Sequence, residues 1–187
     1  MDIFNLAERI KLLSPRTEEE ASILALTLGA VYATALADKY GYTVRKSHGG
    51  KALGKEISSF VDAMIHNKVV PIDPSTPEEN FWLSGLYFND AVVRTDIAFE
   101  WTARYVVGID PKCYGPKNLR DRARQRGFPQ KSLDAWTTIG IEVNRLKHRN
   151  QFTQDRMDYL GFCEVLENLI LAVEWCFASP ARSRNSL

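Results

Sequence analysis

The longest helical pattern in the chain follows a capping signature at residues 76–79. Thr76 can cap a helix, Pro77 suits its first position and Glu79 completes a capping box. The apolar period then continues to about Val107 on two faces. The first stripe comprises Phe81, Gly85, Phe88, Val92, Phe99, Ala103 and Val106. The second comprises Leu83, Leu86, Val93, Ile97 and Trp101. A helix that is apolar on two faces is expected to lie between others, so this stretch predicts the central helix of a bundle.

Helical periods before and after this stretch predict an all-α chain. They cover residues 2–13, 17–41, the segment ending near 67, 132–150 and 157–178. With 187 residues and 45% apolar content, the chain can bury one sizeable core. We therefore expect a single-domain helical bundle of about six to seven helices over 1–187, with a frayed tail at 180–187.

A row of small residues marks the predicted helix 17–41. They recur every four positions, which would let another helix approach closely: Ala21, Ala25, Gly29, Ala33 and Ala37. The uncharged part, 21–37, is short for a membrane span and rich in Ala and Thr, so a buried helix is the better interpretation.

Overall charge and cysteine content exclude several classes. The net charge of +1 gives no global field for nucleic acid or membranes. Cys113, Cys163 and Cys176 form no CxxC pair, which argues against a disulfide framework and a zinc site. The first residues lack the apolar core of a signal peptide, so we expect a cytoplasmic protein without membrane association.

No cofactor is predicted from the motifs. Residues 49–55 match G-x-x-x-x-G-K, but Glu56 stands where a phosphate-binding loop needs a hydroxyl. A basic loop is the plainer interpretation, and a phosphate-ligand enzyme using 49–55 is the least favoured of three functional hypotheses.

Positive charge is concentrated in residues 108–131, which contain seven basic and two acidic side chains and so have a net charge of +5. Such a cluster is typical both of phosphate contacts and of a solvated surface segment. The candidate RNA-binding residues within it are Lys117, Arg120, Arg122, Arg124 and Arg126.

The helix predicted for 132–150 joins a buried stripe to ionisable side chains. Ser132 is its predicted cap, and its apolar stripe comprises Leu133, Trp136, Ile139, Val143 and Leu146. Asn144 and His148 are four residues apart on the shoulder of this stripe, where we expect them to be partly buried and close together. A histidine oriented by an amide can act as an acid or base on a phosphodiester. The structural alternative is a histidine that only caps the helix end or has its hydrogen bonds satisfied there.

Two segments resemble the HEPN superfamily: 87–96, reading YFNDAVVRTD, and 142–148, reading EVNRLKH. The resemblance implies an all-α protein, commonly a homodimer, of a class with many metal-independent ribonucleases in toxin-antitoxin and phage-defence systems. Asn144 and His148 match the polar residue and the His of the family motif.

The Arg of that motif should stand at 141–143, where this chain has Ile141, Glu142 and Val143. Arg145 and Arg149 on the same helix, or Arg94 on its neighbour, could replace it. The candidate catalytic residues are therefore His148, Asn144, Arg145 and Arg149, with RNA as partner and no metal. The alternative is a non-catalytic module whose helix builds a dimer or protein-partner interface.

Overall fold

The computed structural model describes residues 3–39, 77–108, 115–147, 157 and 159–178. Within these residues the chain forms six α-helices and no strand. The helices are α1 (Ile3–Lys11), α2 (Glu18–Lys39), α3 (Pro77–Val107), α4 (Pro116–Gln125), α5 (Gln130–Lys147) and α6 (Tyr159–Ala178). The predicted all-α bundle is confirmed. The loop at 49–55 and the tail at 180–187 lie outside the described residues.

Helix α3 is the centre of the bundle and contacts α2, α4, α5 and α6. The described members of its first predicted stripe are all buried: Phe88, Val92, Phe99, Ala103 and Val106. The second stripe was expected to be buried as well, and this prediction is wrong for its described members. Val93, Ile97 and Trp101 are 38%, 37% and 38% exposed.

The seam between α2 and α3 joins two helices that both carry buried hydroxyl side chains. Four threonines are fully buried in these helices: Thr27, Thr34, Thr95 and Thr102. Each hydroxyl donates to the carbonyl four residues earlier in its own helix, at 2.7–2.8 Å, so each is satisfied locally. The predicted row of small residues is only partly correct, since Ala33 and Ala37 are buried while Ala21 and Ala25 are exposed.

A buried carboxylate connects the start of α2 to the end of α3. Glu20 is 1% exposed and accepts from the backbone N–H of Arg16 at 2.6 Å, from its guanidinium at 2.7 Å, and from the Tyr105 hydroxyl at 2.6 Å. Thr17 accepts the Glu20 N–H at 3.1 Å, which is half of a capping box at the start of α2. Burial opposes ionisation of Glu20, but the bonds from Arg16 and Tyr105 outweigh it and lower its pKa to about 2.

An ion pair joins the first and last helices. The Arg9 guanidinium donates to both carboxylate oxygens of Glu174, at 2.9 and 2.7 Å, and Glu167 lies 3.9 Å away. Ile3, Leu6 and Ile10 are buried on the same short helix. The apolar stripe and the bidentate pair together hold α1 in the bundle.

Over the residues with described structure, none of the helices has the length and apolar character needed to cross a bilayer.

Candidate nucleic-acid interface

Helix α4 presents the predicted basic segment on the surface of the bundle. Leu119 and Ala123 are buried and form its inner face, and the helix packs on α3 and α5. The exposed cations on or just after it are Lys117, Arg122, Arg124 and Arg126. An amphipathic helix thus carries the cluster, so its charges are held on one rigid element.

The turn after α4 fixes its direction relative to α5. Gly127 has φ +83°, a conformation that favours glycine, and the Phe128 N–H donates to the Ala123 carbonyl at 2.9 Å. Phe128 is buried and meets the Trp175 ring edge to face, with centroids 5.8 Å apart. Phe128 is therefore a core residue, and its ring is not accessible for stacking on a nucleic-acid base. Tyr114, the other aromatic residue of this segment, lies outside the described residues.

The predicted RNA-binding residues differ in their surroundings. Arg124 pairs with Asp121 at 3.0 Å and donates to Gln130 Oε1 at 3.3 Å, so part of its charge is compensated within the fold. Lys117 and Arg126 have no carboxylate within ion-pair distance in the described part of the chain. Arg120 is half-buried and follows a different pattern.

The Arg120 side chain reaches from α4 onto α5. Its guanidinium carbon lies 5.3 Å from the centroid of the Trp136 ring, a cation–π contact, and its Nη1 donates to Thr137 Oγ1 at 3.2 Å. Trp136 is 1% exposed, stacks on Phe99 with centroids 6.4 Å apart, and donates its indole N–H to Asp96 Oδ1 at 3.0 Å. Three helices therefore meet at one indole ring.

Gly140 keeps space beside this contact. A Cβ built at Gly140 would lie 3.8 Å from Arg120 Nη1 and 3.9 Å from Asp96 Oδ1, which is ordinary van der Waals contact. A methyl group would fit there, but a longer side chain would enter the space that these charged atoms occupy. The glycine in the middle of α5 thus allows Arg120 and Asp96 to approach the helix.

Asn144 follows Gly140 by one helical turn and therefore lies on the same edge of α5. It is exposed, whereas the sequence predicted partial burial next to His148. The described part of α5 ends at Lys147, so His148 and Arg149 lie outside the described residues, as does the Lys147 side chain. The predicted pairing of Asn144 with His148 stays a prediction.

Arg145 is held by a structural contact. Its Nη1 donates to Glu142 Oε1 at 2.5 Å, and the same oxygen accepts the backbone N–H of Met157 at 3.3 Å. Glu142 is therefore a buried link between α5 and the segment that precedes α6. Arg145 neutralises this carboxylate, which gives the guanidinium a packing role that the sequence did not reveal.

The three positions where the HEPN motif would place its Arg have different exposures. Val143 is 5% exposed and Glu142 is 8% exposed, while Ile141 is 49% exposed. Position 143 faces the core, where an arginine would be buried without a partner at considerable cost. Arg94, another proposed replacement, pairs with Asp90 at 2.7 Å.

The arrangement of Arg120, Trp136 and Asp96 was not foreseen from the sequence. The three residues are separated by 16 to 40 positions, so no local spacing connects them. One signal was present, since a glycine inside an amphipathic helical pattern usually has a packing reason.

Within the described ranges, no group of three or more His, Cys, Asp or Glu side chains is arranged to hold a metal ion. Comparison of the chain with protein-family models, with curated proteins and with solved structures finds no match.

Proposed function

We propose that this chain is a HEPN-like protein that contacts RNA through α4 and the adjoining edge of α5. The observation that carries the proposal is the Arg120 contact with Trp136 and Thr137, because it joins the basic helix to the helix that bears Asn144. A strand held by the α4 cations would run past Asn144.

Phosphate contact is supported by the surface of α4. Lys117, Arg122 and Arg126 are exposed on or beside one short helix, and phosphates along a backbone can meet several cations held in this way. The bond between Arg124 and Asp121 leaves Arg124 a weaker candidate than its neighbours.

Metal-independent cleavage is the proposed chemistry. His148 follows Asn144 by four residues, and an imidazole can titrate near neutral pH and transfer a proton at a ribose hydroxyl or a leaving oxygen. The exposure of Asn144 supports this role, since its amide can reach a bound strand from solvent.

A homodimer is proposed through the outward face of α3. Val93, Ile97 and Trp101 lie at four-residue steps and are all partly exposed, which supports an interface with a second copy. The same stripe also favours the alternative function, a non-catalytic module that binds another protein.

RNA binding is tested by measuring affinity across a salt series. Lys117→Gln is expected to weaken binding and to reduce the slope of log affinity against log salt by about 1. Lys11→Gln is the matched control, because Lys11 is an exposed lysine on α1 and should leave the slope unchanged. Equal effects of the two substitutions, or an affinity indifferent to salt, would contradict phosphate contacts at α4.

Cleavage is tested with a mixed RNA pool in the presence of a chelator. Wild-type protein is expected to cleave, and His148→Ala and Asn144→Ala are expected to reduce the rate by about 100-fold or more and about 10-fold, respectively. Cleavage that is absent, or that persists in His148→Ala, would remove the ribonuclease part of the proposal and leave the binding part to the salt series.

A further inference from the structure

Arg120 is distinguished from the other arginines by what holds it. Six others in the described ranges form ion pairs with carboxylates: Arg9, Arg16, Arg94, Arg104, Arg124 and Arg145. Arg120 is half-buried, yet within the same ranges it contacts an aromatic ring and a hydroxyl and makes no ion pair. The ring and the hydroxyl that hold the guanidinium are neutral, so neither of them compensates its positive charge.

The contacts of Arg120 also limit its freedom. The Arg120 guanidinium carbon lies over the Trp136 ring, and Trp136 is itself fixed by its bond to Asp96 and its stacking on Phe99. A guanidinium has five N–H donors, and the bond to Thr137 uses one of them. The remaining donors form a planar fork that is suited to two oxygens of one phosphate.

The position of Arg120 relates it to Asn144. Its Nη1 lies 3.8 Å from the place of a Cβ at Gly140, and side chains one turn apart on a helix are separated by about 5–6 Å. A phosphate bound by Arg120 would therefore lie about one helical turn from Asn144. Position 143 faces the core, so an arginine there would not reach the solvent-facing edge of α5. The Arg120 guanidinium reaches that edge from α4.

We infer that Arg120 and Thr137 form a subsite for one phosphate group, and that Arg120 supplies from α4 the guanidinium absent at 141–143. The inference rests on the proposed function for its source of phosphate, an RNA backbone. Free phosphate has the same chemistry and would be the other source. Asp96 Oδ1 lies 3.9 Å from the same Cβ position at Gly140, and its negative charge repels a phosphate, so we place the anion on the side of the Arg120 guanidinium away from this carboxylate.

The first test of the subsite asks whether binding depends on the positive charge of Arg120 alone or also on the planar shape of its guanidinium. Arg120→Lys and Arg120→Ala are expected to weaken binding of a short oligoribonucleotide by similar factors, about tenfold or more, because lysine keeps the charge but loses the planar fork. Lys11→Arg is the matched control, because it changes the shape of an exposed cation on α1 and keeps its charge, and it should change affinity less than twofold. Arg120→Lys that binds as tightly as wild type would overturn the inference and leave the α4 interface intact. Thermal unfolding of each variant shows whether the loss of the Trp136 contact also affects the fold.

The second measurement follows the Trp136 indole N–H signal by NMR, assigned with Trp136→Phe, while inorganic phosphate or the oligoribonucleotide is added. In wild type we expect both ligands to shift this signal. In Arg120→Ala we expect neither ligand to shift it. Shifts with phosphate alone would support the subsite while contradicting RNA as its ligand. No shift with either ligand would overturn the subsite, whatever the salt series shows for α4.

Gly140 provides a variant that leaves Arg120 in the chain. Gly140→Ala should retain the phosphate-dependent shift, because its methyl group fits at 3.8 Å, whereas Gly140→Leu should displace the guanidinium and abolish the shift. Retention of the shift in folded Gly140→Leu would count against the proposed location of the anion.

Discussion

The indole N–H of Trp136 on α5 donates to Asp96 Oδ1 on α3 at 3.0 Å, although Trp136 belongs to the apolar stripe of its helix. This bond places a polar link inside the contact between α3 and α5. It also fixes the ring on which Arg120 lies.

Trp136→Phe is expected to lower the free energy of unfolding by about 1–3 kcal/mol, because it keeps an aromatic ring while removing a donor from Asp96 and reducing buried volume. Chemical denaturation measures the change. Tyr32→Phe is the control, because it removes a hydroxyl donor from an exposed aromatic ring on α2, and we expect a change within about 0.5 kcal/mol. Equal losses for the two variants would contradict a contribution of the buried bond to Asp96.

Stability should fall in acid because of Glu20. Its pKa is lowered from 4.5 to about 2 in the folded protein, so its stabilising contribution is complete above pH 4.5 and is lost as the pH falls toward 2. We expect this contribution to be about 1–3 kcal/mol, since Arg16 is partly exposed and solvent screens the pair. Denaturation of wild type and Glu20→Gln between pH 5 and pH 2 should show a flatter dependence in the variant. Glu18→Gln, at an exposed position, should retain the wild-type slope.

Two alanines from the predicted row of small residues test which positions of α2 pack against another helix. Ala33→Leu should cost about 1–3 kcal/mol of stability, because Ala33 is buried and the added atoms must displace neighbours. Ala25→Leu, at an exposed position on the same helix, should change the unfolding free energy by about 0.5 kcal/mol or less. A similar cost at both positions would mean that the whole row packs against another helix.

The proposed homodimer predicts a specific change in mass. Ile97→Lys should convert a dimer into a monomer in sedimentation experiments, because it places a charge at the centre of the Val93, Ile97 and Trp101 stripe. Leu160→Lys, which alters an exposed leucine on α6, should leave the mass unchanged. A wild-type protein that is monomeric at every concentration tested would exclude this interface.

Helix positions could be predicted from the sequence because hydrophobic period and capping residues are local signals. The start of α3 at Pro77 and its end at Val107 agree with the pattern. The start of α5 was placed two residues late, since Ser132 is buried and donates its hydroxyl to the Asn168 carbonyl at 2.9 Å instead of capping the helix. A serine hydroxyl can cap a helix or form a hydrogen bond to another helix. Which of the two bonds Ser132 forms depends on how α6 packs against α5.

Which apolar face is covered could not be predicted, because it depends on the number and direction of neighbouring helices. Val93, Ile97 and Trp101 have the composition of a core stripe but face outward. The ion pairs from Asp90 to Arg94 and from Glu100 to Arg104 could be predicted, as they follow four-residue steps. Asp96 accepts a hydrogen bond from the indole of Trp136, which is 40 positions away and is a partner that the helical period cannot indicate.

The buried threonines have a consequence for how α2 and α3 are aligned along their axes. Because each hydroxyl returns to its own helix, these four side chains provide no directional bond across the seam. A slide of α2 along α3 by one turn, about 5.4 Å, would break the hydrogen bond from Tyr105 to Glu20. The buried Glu20 carboxylate therefore ties the axial position of α2 to that of α3.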